Sequence, residues 1–235
     1  WTARKTADEP AAGKSGHDSA VAQPEVALKV ERRERDKTGA WQTEKDVWED
    51  LGRLEPAKRA KWPLWHGAGE TGPLKWMAIE ELSINLSELR RQSPKSCFSG
   101  PTTAALGSQM LERIVELHSL GWIHRDIKPS NFMFKLGDKP YKSLCLVDMG
   151  LARKAGASGE VRKTSGLVGT VRYASVRAHQ GKAVSRLDDL ISLFYSLLEM
   201  SKGCLSWGKV RDVRQAFKMK QMHKLGALAA KKPFP

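Results

Sequence analysis

Ten consecutive residues, Trp122-Ile-His-Arg-Asp-Ile-Lys-Pro-Ser-Asn131, constrain this chain most, because they crowd six polar side chains, from His124 to Asn131, into one short segment between apolar elements. Before it, Leu106, Met110, Ile114 and Leu117 recur at three- and four-residue steps, which predicts a helix over about 102–120. Pro101 stands where a helix start tolerates it and Gly121 where a helix stops. After it, Leu144-Cys-Leu-Val147 is a short apolar run of the buried-strand kind, and it ends in Asp148-Met-Gly150. A polar loop between a buried helix and a buried strand has a fixed place in a fold, and ten residues in order set it apart from a chance His-Arg-Asp.

The rest of the chain divides by pattern. Residues 1–24 are rich in Ala, Gly, Lys, Asp and Ser without periodicity, and read as a flexible lead-in or a degenerate glycine loop. Val26-Ala-Leu-Lys-Val30 is a strand pattern, and 41–54 is helical through Val47, Trp48, Leu51 and Leu54. Another strand region covers 74–82. A polar, Gly-rich stretch runs over 156–169, an apolar helix over about 187–200, and a last helix over 210–228. Strands with one helix therefore come first and helices dominate afterwards, the order of an α+β chain.

Phosphoryl transfer asks for positioning and charge neutralisation more than covalent chemistry, and each part it needs has a candidate. In His124-Arg125-Asp126, the Asp would orient an acceptor hydroxyl and take its proton. Lys128 would sit beside the transferred group, and Asn131 and Asp148 would hold Mg2+, which favours few carboxylates plus phosphate oxygens. Lys29 suits a cation gripping nucleotide phosphates, paired with Glu44 on the following helix or, as second choice, Glu49. Ala11-Ala-Gly13-Lys-Ser-Gly16 keeps two glycines of a phosphate-covering loop; a polar tail reads the same stretch equally well. Gly13-Lys-Ser is not a P-loop, since Asp8 stands where a Gly belongs and no strand precedes it.

With these motifs, Gly169-Thr-Val-Arg-Tyr-Ala-Ser175, Val176-Arg-Ala-His-Gln180 and Asp188-Asp-Leu-Ile-Ser-Leu-Phe-Tyr195 resemble the casein kinase I superfamily of Ser/Thr protein kinases, its tau-tubulin kinase branch most closely. The resemblance runs from about residue 26 to 213. It implies a bilobal eukaryotic protein kinase fold with a small β-rich N-lobe at 25–82 and a larger, mainly helical C-lobe at 83–235, incomplete at its C-terminus. It implies ATP at a hinge of Glu80 to Leu82 behind a gatekeeper Ile79, and structural roles for His124, Arg125, Gly150 and Asp189. Arg172 would contribute to an anion site with Arg153 and Lys154, so that acidic or already phosphorylated proteins are the substrates. Departures from the family pattern stand at Met149, Arg177 and Ile191. The implied activity is Ser/Thr protein phosphorylation with ATP and Mg2+; a pseudokinase scaffold is the alternative.

Composition narrows the partners. A net charge of +14 over 235 residues suits acidic substrates and a solvated basic surface alike. Nothing resembles a nucleic-acid module, and the longest apolar run, 190–198, is too short and too closely flanked by charge to span a bilayer. Cys97, Cys145 and Cys204 are sparse and odd in number, as expected in a reducing compartment. The expectation is an intracellular monomer, cytoplasmic or nuclear. A start at Trp1 without Met or an apolar leader, and an end soon after Trp207, suggest a piece incomplete at both ends.

Overall fold

The computed structural model describes residues 26–137, 143–162 and 166–222. The lead-in, with Gly13 and Gly16, lies outside them, as does the end of the last expected helix. Strand β1 (Val26–Arg32) is followed by helix α1 (Ala40–Leu51) and a single helical turn, α2 (Pro56–Arg59). Strands β2 (Trp65–Thr71) and β3 (Leu74–Glu80) then form a hairpin, and β3 lies between its neighbours in the antiparallel order β1-β3-β2. Met77 and Ile79 make β3 the buried middle of this sheet. Helix α1 turns Trp41, Glu44, Val47, Trp48 and Leu51 inward, and Trp48 stacks on Trp65 at 6.0 Å between ring centroids. Burying that apolar stripe is what joins α1 to the sheet.

Strand β4 (Leu82–Asn85) leads into α3 (Leu86–Gln92), whose first turn is capped by Asn85 accepting from the Glu88 amide at 2.9 Å. Helix α4 (Gly100–Ser119) follows, capped by Ser99, and buries the expected Leu106, Met110, Ile114 and Leu117. Next come β5 (Trp122–Ile123), β6 (Phe132–Lys135) and β7 (Leu144–Leu146); β6 sits between β4 and β7 in a second antiparallel sheet. Strand β8 (Arg153–Lys154) returns to pair with β5. Beyond β9 (Glu160–Val161) lie α5 (Val176–His179), β10 (Val184–Ser185, paired with β9), α6 (Arg186–Lys202) and α7 (Val213–Met222). Helix α6 starts on a capping box of Ser185 and Asp188 and stops at Gly203, whose φ of 80° favours glycine.

The largest core cluster runs through both regions, from Val47, Trp48 and Ile79 to Met110, Ile114, Phe132, Leu146 and Met149. Strands come first and helices dominate later, so the chain is α+β, the class its sequence order predicts. No helix among the described residues is long and apolar enough to cross a membrane.

Candidate active site

Asp189, near the start of α6, organises the loop that holds Asp126. One carboxylate oxygen accepts from the His124 amide (2.8 Å) and from His118 Nε2 (2.8 Å); the other accepts from the Arg125 amide (2.9 Å). The side chain is 1% exposed, so these bonds replace the water it would otherwise hold. Arg125 sits at φ 69°, an uncommon conformation for a side chain with a Cβ, and its bonded amide helps hold it there. Burial, then the charge of Arg153, lowers the Arg125 guanidinium to about 10; its Nε donates to Leu151 O at 2.8 Å. His124 is fully buried: its Nδ1 accepts from the Asp126 amide at 3.2 Å, which leaves Nε2 to donate to Val147 O at 3.2 Å.

The two oxygens of Asp126 meet different partners. Oδ2 receives Lys128 Nζ at 2.5 Å, and Oδ1 receives the Thr170 hydroxyl at 2.7 Å. Lys128 Nζ also reaches Thr170 Oγ1 at 3.3 Å. Glycine is required at 169: a Cβ there would lie 2.4 Å from Arg125 O, and φ is 92°. Asn131 Nδ2 donates to Asp126 O at 3.0 Å, which leaves its amide oxygen as the acceptor end. Asn131 O in turn accepts from the Val147 amide at 2.9 Å, so the residue before Asp148 is bonded to the loop.

Asp148 is half-buried at φ 66°, a left-handed position that Asp tolerates better than most residues. One carboxylate and one amide oxygen suit a hard cation that completes its shell with water and phosphate oxygens. Among the described residues no cluster of three or more His, Cys, Asp or Glu could hold a metal alone. The residues fit Mg2+ arriving with a nucleotide.

Lys29 on β1 reaches Glu44 on α1 with Nζ to Oε2 at 2.5 Å. Glu44 is 0% exposed, and a buried carboxylate is costly unless paired. Burial, the largest influence on both, pushes the Glu44 carboxyl up against the pull of Lys29. Burial also opposes the Lys29 charge, but Glu44, helped by Asp148, overcomes it and raises the ammonium above its ordinary value. Gly150 lies against the start of α1, where a Cβ would make ordinary contact with Ala40 Cβ at 3.4 Å and Glu44 Oε2 at 3.7 Å. Glu49, the second choice, pairs instead with Lys45 at 3.4 Å.

Ile79 is buried in β3. Glu80 accepts through Oε2 from the Leu64 amide (3.0 Å) and Lys135 (2.9 Å), and Leu82 pairs with Lys135 across β4 and β6. The basic residues of the expected anion site all have internal partners. Arg172 meets Glu199 at 2.9 Å and Gly208 O at 2.6 Å. Arg153 donates to Ala152 O (2.7 Å) and Thr43 (3.0 Å), and Lys154 meets Asp50 and Leu120 O, each at 2.7 Å.

Three partners escaped the sequence reading. Thr170 lay in a stretch noted for family likeness, with no sign of its bond to Asp126. His118 reads as one polar residue at the end of α4. Glu199, which also accepts from the Tyr173 hydroxyl, left one trace: a carboxylate on an otherwise apolar helix.

Residues 71–234 match the model of the protein kinase domain. A Dictyostelium discoideum protein named "Probable serine/threonine-protein kinase" is 38% identical over 95% of this chain and 45% of its own length. In Caenorhabditis elegans, a protein named for casein kinase I is 27% identical over 84% of this chain and 58% of its own. The serine/threonine-protein kinase spe-6 of the same organism is 34% identical over 63% and 40%. The chain thus spans about half the length of these relatives. With the family model matching well over half of the sequence, the chain belongs to the protein kinase domain family.

Proposed function

We propose that this chain transfers the γ-phosphoryl group of ATP to serine or threonine hydroxyls of proteins, as a member of the casein kinase I superfamily near its tau-tubulin kinase branch. The observation that carries the reading is the paired placement of Asp126 with Lys128 and of Lys29 with Glu44. Asp126 orients the acceptor hydroxyl and takes its proton as oxygen attacks the γ-phosphorus. The bond from that phosphorus to the bridging oxygen breaks, and ADP leaves with the electron pair. Lys128 offsets charge on the transferred group, and Lys29, steered by Glu44, holds the nucleotide phosphates. Asn131 and Asp148 would hold Mg2+, which supplies charge neutralisation at the phosphates.

Ile79, Glu80 and Leu82 would line the adenine side, and Gly13 and Gly16 would cover the phosphates. Acidic or phosphorylated protein substrates are favoured by the +14 balance and by Arg172, whose side chain is 40% exposed beside its Glu199 partner. The domain plan is an N-lobe at 25–82 and a C-lobe from 83, acting as an intracellular monomer. The test is phosphate transfer from labelled ATP to casein, with and without Mg2+, alongside nucleotide thermal shift. Mg2+-dependent stabilisation and transfer are expected. Neither effect in a folded sample overturns the reading, and nucleotide binding without transfer favours the scaffold alternative.

A further inference from the structure

Lys220 is a buried lysine to which the phosphotransfer reading gives no task. It lies on α7 at 2% exposure, and its Nζ donates to Val171 O at 2.7 Å and Ala174 O at 2.6 Å. It also meets His179 Nε2 at 3.1 Å, and it lies over the rings of Tyr195 and Trp207 at 5.2 and 5.6 Å. Lysines ordinarily keep the ammonium in water and bury only the stem. Here two carbonyls, an imidazole and two aromatic faces replace that water. A neutral amine would keep two N–H donors, enough for both carbonyls, so this grip does not depend on protonation.

Those carbonyls belong to a turn that touches Asp126. Thr170, at its start, donates its hydroxyl to Asp126 Oδ1, and the amides of Tyr173 and Ala174 both return to Thr170 O at 3.0 Å. Glu199 holds Arg172, and Trp207 Nε1 donates to Arg172 O at 2.8 Å. Ser175 donates to Asp188 at 2.5 Å. The turn is thereby suspended between the catalytic loop, α6 and α7, and α7 holds it through Lys220.

We infer that Lys220 is a positioning residue, holding the 170–174 turn in register with Asp126 so that the hydroxyl of a protein substrate meets the carboxylate in line. The consequence for catalysis rests on the phosphotransfer reading; the clamp itself does not, and the experiment separates the two. Lys220→Met is compared with wild type and with Lys218→Met, an exposed control on the same helix. The first readout is hydrogen exchange at the Tyr173 and Ala174 amides, which needs no activity. The second is KM for casein against KM for ATP.

The clamp predicts faster exchange at both amides in Lys220→Met, and a casein KM raised about tenfold with the ATP KM unmoved, because a displaced 170–174 turn weakens binding of the protein substrate and leaves the nucleotide side untouched. Lys220→Arg, which keeps the donors, should stay near wild type in both readouts. Should Lys220→Met fail to fold, Lys220→Gln is read by the same two measurements with the same expected direction. Unchanged exchange overturns the clamp. Faster exchange with an unmoved casein KM, or with both KM values moving together, overturns the positioning role. A wild type that phosphorylates no casein sinks the phosphotransfer reading, and the exchange measurement still decides the clamp.

Discussion

Asp126 keeps each of its carboxylate oxygens engaged, one by Lys128 and one by Thr170, so its orientation is set before any substrate arrives. Replacing it by Asn preserves shape and removes the proton acceptor. Asp126→Asn is expected to lower phosphate transfer at least a hundredfold, on the order of what a positioned acid or base contributes, with a thermal midpoint near wild type. Labelled-ATP transfer and a melting curve on the same sample check both parts. Lys29 and Glu44 make a different kind of prediction, because Glu44 is fully buried. Lys29→Met strands that carboxylate and should destabilise by about 3 kcal/mol. Adding Glu44→Gln should restore part of the loss, since the double variant buries no unpaired charge; denaturant midpoints of the four proteins give the coupling.

At the scale of elements, the N-terminus of α6 ties together parts of the site far apart in sequence. Ser185 caps it, Asp188 returns to the Ser185 amide at 2.7 Å and holds Ser175, and Asp189 holds the loop before Asp126. Ser185→Ala should cost about 1 kcal/mol, the ordinary worth of a cap. Asp189→Ala should cost more, about 3 kcal/mol, because it leaves the buried His124 amide, the Arg125 amide and His118 without their acceptor. Chemical denaturation ranks the two, and the reverse order would show that the cap, not the aspartate, carries the junction. Helices α4 and α6 were legible because apolar spacing and caps agree with each other. Strand β2, Trp65-His-Gly-Ala-Gly-Glu-Thr71, carries no such signal; it is a strand because β3 offers it hydrogen-bond partners.

For the whole molecule, the clearest pH signal comes from Lys220, facing His179 from α5 and Tyr195 from α6. Burial lowers its ammonium to about 7 from an ordinary 10.5. Between those values the unfolded chain binds a proton that the folded chain releases, so this lysine makes stability rise with pH. The wild-type midpoint minus that of Lys220→Met should therefore increase from pH 7 towards 10, and a flat difference would show that Lys220 folds with its proton. His179, lowered to about 4 by burial and then by the charge of Lys220, acts on the acid side. Its share of stability is lost as pH falls from its ordinary 6.5 towards 4.

By itself, the sequence determined the order of strands and helices, the main helices, and the identity of the polar groups from His124 to Asn131 with Asp148. These follow from local periodicity and from a motif whose chemistry lies within a few residues. Sequence put Glu44 ahead of Glu49 as the partner of Lys29, but only the tertiary structure decided it, by burying Glu44 beside Lys29 and leaving Glu49 to pair with Lys45. The partners of Arg172, Glu199 and Gly208 O, were likewise decided by the fold, beside the anion role that the family resemblance implies. Lys220 reached the 170–174 turn by the same route. A buried charge is placed by whatever polar groups the packed elements bring within reach, and no spacing along the chain announces them.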